Sequence, residues 1–301
     1  MNDKMNEVTV FSPFGGQLIL EEVLGSSPDL KIPENSVTTK KGADRNMYSY
    51  VPLSGCYDAK QEQVLFVLRD GNDEESAQHW LKTLRLDELA EEKHCIVLFP
   101  NPTEQGWNYV NDPDREDDLA FLVRCFAALP KSKGKAAGFN GMIFHLATSK
   151  SSSALVTLLA EKQPIESAAM MVGAFPSDYQ IAETGLRQPI NAWVYEENKA
   201  LQEYLIDVNH IGSKMVSDGI NQYISKLNEN NMHFVSKNGL NADEVRQAWD
   251  RLFSETRRWR NDTYGTYQQR TNFTEWGFVG HVSDDSLAVN NGFKHTWYEY
   301  V

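Results

Sequence analysis

The stretch MIFHLATSKSSSALVTLLAEKQPIESAAMMVGAFP, residues 142–176, decides how this chain folds. Met142 to Ala147 is a short apolar run bounded by polar residues, which fits a buried strand. Ala154, Leu155, Leu158 and Leu159 then recur at helical spacing, so a helix follows at once. Ala168 to Val172 is a second strand. The turn between the first strand and the helix reads Ala147-Thr148-Ser149-Lys150-Ser151. Ser149 stands at its centre, with a small residue two positions to either side.

The same alternation extends in both directions. Upstream, Met47 to Val51 is a short strand and Val64 to Leu68 a continuous apolar run, as expected of a strand buried on both faces. Asn72, with Glu75 three residues on, opens a helix whose buried stripe is Ala77, Trp80, Leu81 and Leu84. Cys95 to Phe99 is the next strand. Asp112 then caps a helix with Leu119, Leu122, Val123 and Phe126 facing inward. Downstream, Ile190 to Tyr195 is a strand, and Leu201, Tyr204, Leu205 and Val208 mark the helix after it. Beyond Asp207 the order loosens. Ile220, Tyr223, Ile224 and Leu227 fit a helix, Met232 to Val235 a strand, and Asn241 with Glu244 opens a helix carrying Val245, Trp249, Leu252 and Phe253. Strands alternating with amphipathic helices predict an α/β fold, a mostly parallel central sheet with helices on both faces. Active sites of such sheets lie at the carboxyl ends of the strands.

Composition sets the outer bounds. The 301 residues are 41% hydrophobic and 24% charged, which suits a globular protein able to bury a sizeable core. A formal net charge of -13 argues against a nucleic-acid groove, which needs a clustered positive field. The basic cluster Arg257, Arg258 and Arg260 is interleaved with aromatics and reads as a solvated helix end. Cys56, Cys95 and Cys125 show neither metal-ligand nor disulfide spacing. No run approaches the roughly 18 apolar residues of a membrane span, and Met1 to Val8 lacks the layout of a signal peptide. A cytoplasmic protein is expected, or a secreted one if a leader has been removed. There is no phosphate-cradling loop, dinucleotide fingerprint or zinc spacing, so no cofactor and no metal are expected.

The turn at Ser149 has two readings. A serine nucleophile of this architecture sits on a sharp strand-to-helix turn, usually G-x-S-x-G. Here Ala147 and Ser151 replace both glycines, which keeps the space small but does not tolerate positive φ as glycine does. The other reading is that Ser149 is an N-cap, for which serine is favoured. Ser151 to Ser153 leave the register of the motif open.

Taken together, MYSYVP, VLFVLRDGNDEES, HCIVLFPNPTEQGWN, the turn at Ser149 and AAMMVGAFP resemble the polyhydroxybutyrate-depolymerase and feruloyl-esterase group of the α/β-hydrolases over about residues 46–207. The resemblance implies an α/β-hydrolase fold and serine-esterase chemistry on a small-molecule or polymer ester, with Ser149 as nucleophile. It implies oxyanion donors at the backbone amides of Asp70 and Lys150. Arg69-Asp70-Gly71 stands where that group carries His-Gly-Gly. The orienting acid falls on Glu196 or Glu197, with Glu197 preferred; as an alternative, the two simply favour the amino end of the next helix. The base falls among His210, His233, His281 and His295. His281, in the glycine-flanked Gly277-Phe278-Val279-Gly280-His281, is preferred.

Residues 1–45 read as a leading arm, 46–301 as the hydrolase domain, and about 208–280 as a cover or lid. Lys294 to Val301 resembles Arg45 to Val51, which makes 294–301 the candidate start of a repeated domain in a tandem protein. A homo-oligomer or a tandem partner domain, but no nucleic acid and no membrane, is the expected company. The altered turn also supports a rival: a catalytically inactive hydrolase-fold domain that binds a ligand or another protein.

Overall fold

The computed structural model describes residues 8–11, 15–25, 42–53, 63–128, 143–162, 168–179, 190–226, 232–254, 257–258 and 278–279. The chain divides into two compact units, Met1–Gly138 and Phe139–Val301.

The first unit contains β1 (Val8–Phe11), β2 (Gln17–Val23), β3 (Arg45–Val51), β4 (Gln63–Leu68), α1 (Glu74–Thr83), α2 (Leu86–Lys93), β5 (Cys95–Pro100) and α3 (Asp118–Ala127). Its strands lie in the order β1-β2-β3-β5-β4. The first three pairings are antiparallel and β4 runs parallel to β5, with Val64 opposite Ile96 and Phe66 opposite Leu98. Val64 to Leu68 is buried throughout, as a strand covered on both faces must be. The segment read as a leading arm contributes two strands. β2 pairs with β3 along its whole length, from Gln17 opposite Val51 to Val23 opposite Arg45.

Two helix starts fall later than the sequence suggested. Asp73, not Asn72, caps α1 and accepts from the Ser76 amide at 2.8 Å. Helix α3 begins at Asp118, with Asp117 accepting from the Ala120 amide at 3.0 Å. Residues 112–117 instead form a turn tied down by Asn108, whose side-chain Nδ2 donates to the carbonyls of Asp112 and Glu116. A proline within a run of acids marks this turn rather than a helix.

The second unit contains β6 (Ile143–Ala147), α4 (Lys150–Lys162), β7 (Ala168–Met171), β8 (Ala192–Tyr195), α5 (Lys199–Val208), β9 (Ile211–Ser217), β10 (Ile220–Ser225), β11 (Met232–Ser236) and α6 (Ala242–Ala248), which continues as a π-helical turn, Trp249–Phe253. The order is β6-β7-β8-β11-β10-β9. β6, β7, β8 and β11 are parallel, and β10 and β9 follow as an antiparallel hairpin. Where a helix was expected from Ile220, the described residues Ile220–Ser225 form strand β10, and Leu227 lies outside the described residues. Asp218 (φ 54°) and Gly219 (φ 77°) make the two-residue turn that joins β10 to β9.

Aromatic side chains seal the π-helical turn to the sheet. Phe144 of β6 stacks on Phe253 at 4.7 Å and meets Trp249 edge-on at 5.3 Å. Trp193 of β8 stacks on Phe234 of β11 at 5.2 Å. The run Arg257–Arg258, read as a helix end, is instead a short strand, β12, paired antiparallel with β13 (Phe278–Val279). Cys95 and Cys125 are buried free thiols, and Cys56 lies outside the described residues. No helix among the described residues is long and apolar enough to cross a membrane.

Candidate active site

Strand β6 delivers Ser149 to the carboxyl end of the parallel strands. The buried run Ile143 to Ala147 ends, Thr148 and Ser149 turn half-buried, and α4 starts at Lys150. The Ser149 carbonyl accepts the first helical bond, from the Ser153 amide at 3.0 Å. Its Oγ accepts from the Ser152 amide at 3.2 Å, while the Ser149 amide donates to Ser152 Oγ at 2.9 Å. These reciprocal bonds form a capping box with serine in place of the usual glutamate. Ser149 Oγ also lies 2.9 Å from Ser151 Oγ and 3.0 Å from Ser152 Oγ.

The strained backbone expected at a nucleophile turn is not adopted. Among the described residues, positive φ outside glycine occurs at Arg85, His94, Asn111, His210 and Asp218, and Ser149 is not one of them. Without that strain, Ala147 and Ser151 need not be glycine.

The close approach falls on Gly173 instead. A Cβ built there would run into the Lys150 amide nitrogen and lie 2.5 Å from the Ser149 carbonyl carbon. Only glycine lets this backbone lie against the turn. The Gly173 amide donates to Ser153 Oγ at 3.1 Å, and the Val172 amide to the Ala147 carbonyl at 3.1 Å. A glycine just past the strand Ala168–Val172 was the signal for this contact in the sequence.

At the end of β8, Glu196 and Glu197 are both exposed, and the next residue, Asn198, is buried. Asn198 Nδ2 donates to the Val172 carbonyl at 2.5 Å. The Gln202 side chain clamps the same turn by donating to the carbonyls of Tyr195 and Glu196. Burial, then the charges of Glu244 and Glu197, push the Tyr195 phenol up, so it stays neutral.

Two of the four candidate bases are placed. His233 is buried in β11 with its ring stacked on Tyr223 at 4.7 Å, and desolvation pulls it down to about 3, so it is a neutral core residue. His210 follows α5 with φ 51°, where its carbonyl accepts from the Lys226 amide. His281 and His295 lie outside the described residues, as does the repeat at 294–301.

In the first unit, Asp70 is exposed and follows a buried arginine. The Arg69 guanidinium donates to the Pro100 carbonyl (2.8 Å), Asn101 Oδ1 (2.6 Å) and the Asp73 carbonyl (3.2 Å). Trp107 Nε1 donates to the Arg69 carbonyl at 2.9 Å. Desolvation lowers the guanidinium to about 10, partly offset by the neighbouring Tyr48 and Asp73 side chains. Beside it, Arg45 pairs with buried Asp118 at 2.5 Å and donates to the Asn101 carbonyl. Arg69 thus ties its own turn after β4, where Arg69-Asp70-Gly71 replaces His-Gly-Gly, to the loop after β5.

An antiparallel edge passing into parallel strands, crossovers through helices, and a serine at the strand-to-helix turn after β6 together decide the architecture. The chain has the α/β-hydrolase fold. No family model and no curated protein matches it. Among solved structures it is similar to a ferulic acid esterase (9% identity, 79% of this chain and 96% of that one, TM-score 0.48). It is also similar to an acetyl xylan esterase from Aspergillus awamori (11%, 68% and 93%, TM-score 0.47). A third is a fluorophosphonate-binding serine hydrolase of Staphylococcus aureus (9%, 78% and 96%, TM-score 0.46). Strand order, rather than these distant likenesses, identifies the fold.

Proposed function

We propose that the chain is a slow, serine-dependent carboxylic-ester hydrolase with Ser149 as its nucleophile. The supporting observation is the half-buried Ser149 hydroxyl at the carboxyl end of β6, against a helix start that carries no carboxylate. Helix N-termini favour negative charge, and the Lys150 amide is the first of that helix. In this reading Ser149 Oγ attacks the ester carbonyl carbon and passes its proton to an imidazole, His281 or His295. The carbonyl oxygen becomes an oxyanion facing the Lys150 amide. The alcohol leaves with the proton, and water then releases the acid from Ser149. Glu197, solvent-exposed, is the orienting acid of this reading.

The rate is slow for a structural reason. Ser149 Oγ already serves the Ser152 amide, so attack breaks the cap of α4. Hydrolysis of p-nitrophenyl acetate and butyrate should be weak in the parent and lost in Ser149→Ala. Turnover unchanged by the substitution places the nucleophile elsewhere, with Ser151 the first residue to try. The capping box favours a second reading, a hydrolase-fold domain that binds without catalysis. Its signature is no turnover in the parent at all.

A further inference from the structure

We infer that Asn198 is a positioning residue for the Ser149 turn, acting through the backbone of Val172 and Gly173. This rests on the reading of Ser149 as nucleophile. Asparagine is among the most favoured helix caps, and Asn198 occupies the N-cap position of α5, yet its side chain makes no capping bond. It turns inward, is 3% exposed, and donates Nδ2 to the Val172 carbonyl at 2.5 Å. The Val172 amide is bonded to the Ala147 carbonyl, two residues before Ser149.

The next residue, Gly173, bonds Ser153 Oγ through its amide, and a Cβ added to it would collide with Lys150 N and Ser149 C. Asn198 therefore fixes the peptide that sets how closely Gly173 rests on the turn. The Lys150 amide, the oxyanion donor, is the atom most directly confined. Backbone placed this tightly transmits small shifts, because a packed interior does not yield smoothly.

Position 198 follows the strand after which the orienting acid was expected, so a rival role is to hold an imidazole directly. The two roles respond oppositely to one isosteric change, Asn198→Asp. The carboxylate of that variant accepts but does not donate, and one of its oxygens would face the Val172 carbonyl. Positioning through Val172 requires Asn198→Asp to lower Ser149 reactivity, as Asn198→Ala does. A direct role on an imidazole requires Asn198→Asp to raise it, since a carboxylate stabilises imidazolium.

The experiment has two readouts on the full chain. The first is the rate of fluorophosphonate labelling in the parent, Asn198→Asp, Asn198→Ala and, as control, Ser149→Ala. The second is amide hydrogen exchange at Gly173 and Lys150, with global stability measured in parallel. We expect both Asn198 variants to label at least tenfold more slowly. Exchange at Gly173 should accelerate at least tenfold beyond any global change. Labelling raised or unaltered in Asn198→Asp overturns the inference. If the parent does not label, the esterase reading fails on its own, and exchange decides the positioning claim: unchanged protection of Gly173 overturns it.

Discussion

The turn after β4 and the turn after β6 are built on the same plan, a buried strand ending at a capped helix, and they differ in charge. The first is anionic at its helix start: Asp73 caps α1 and Glu74 and Glu75 fill its first turn. A fully buried guanidinium, Arg69, then locks the strand end to Pro100 and Asn101. The second carries Lys150 and serine hydroxyls, with no carboxylate in the first turn of α4. Carboxylates at a helix start already occupy the field that would favour a developing oxyanion. Of the two turns, the one at Ser149 is suited to negative charge, and the one at Arg69 is suited to staying put.

Acid should separate the two units most sharply. His145 and His233, both in the second unit and fully buried, are pulled to about 3 by desolvation. The unfolded chain binds their protons near pH 6.5, so it takes up more protons than the fold between there and pH 3. Stability is full above about 6.5 and is lost as pH falls toward 3, on the order of 4 kcal/mol per histidine. In the first unit, burial raises buried Asp118 despite Arg45, so its protonation on acidification relieves the fold. Amide exchange at pH 4 should open β6 and β11 before β4 and β5. The reverse order breaks the comparison.

Arg69→Met should cost on the order of 3 kcal/mol by urea unfolding, because it removes three hydrogen bonds and strands buried acceptors. A loss below about 1 kcal/mol would show that the first turn is not held as described. Gly173→Ala should cost about 1–3 kcal/mol through overpacking against Lys150, with fluorophosphonate labelling slowed as well. Ser152→Ala, which removes one half of the capping box, should cost about 1 kcal/mol. It also leaves Ser149 Oγ with one hydroxyl partner fewer, and faster labelling at lower stability is the expected pairing.

The difference between the turns also marks what the sequence could disclose. Val64–Leu68, Cys95–Phe99 and Ile143–Ala147 were legible because strands buried on both faces are largely apolar. Ile220, Tyr223, Ile224 and Leu227 misled because their spacing is helical. The overlooked signal was Asp218-Gly219, a hairpin turn between strand-forming residues. Arg69 gave no sign of burial, since an arginine after an apolar run reads as the strand's solvated end. Asn198 was hidden for a similar reason: as a sequence feature it is a helix cap, and the bond to Val172 comes from the neighbouring strand.

Everything functional turns on whether Ser149 is a reachable nucleophile despite capping α4. Labelling with a fluorophosphonate probe, followed by intact mass and peptide mapping, tests it most directly in the parent and in Ser149→Ala. Slow addition of a single phosphonate, mapped to Ser149 and absent from the variant, is the expected result. Equal labelling of the variant, or none in the parent under conditions that saturate an ordinary serine esterase, would contradict it.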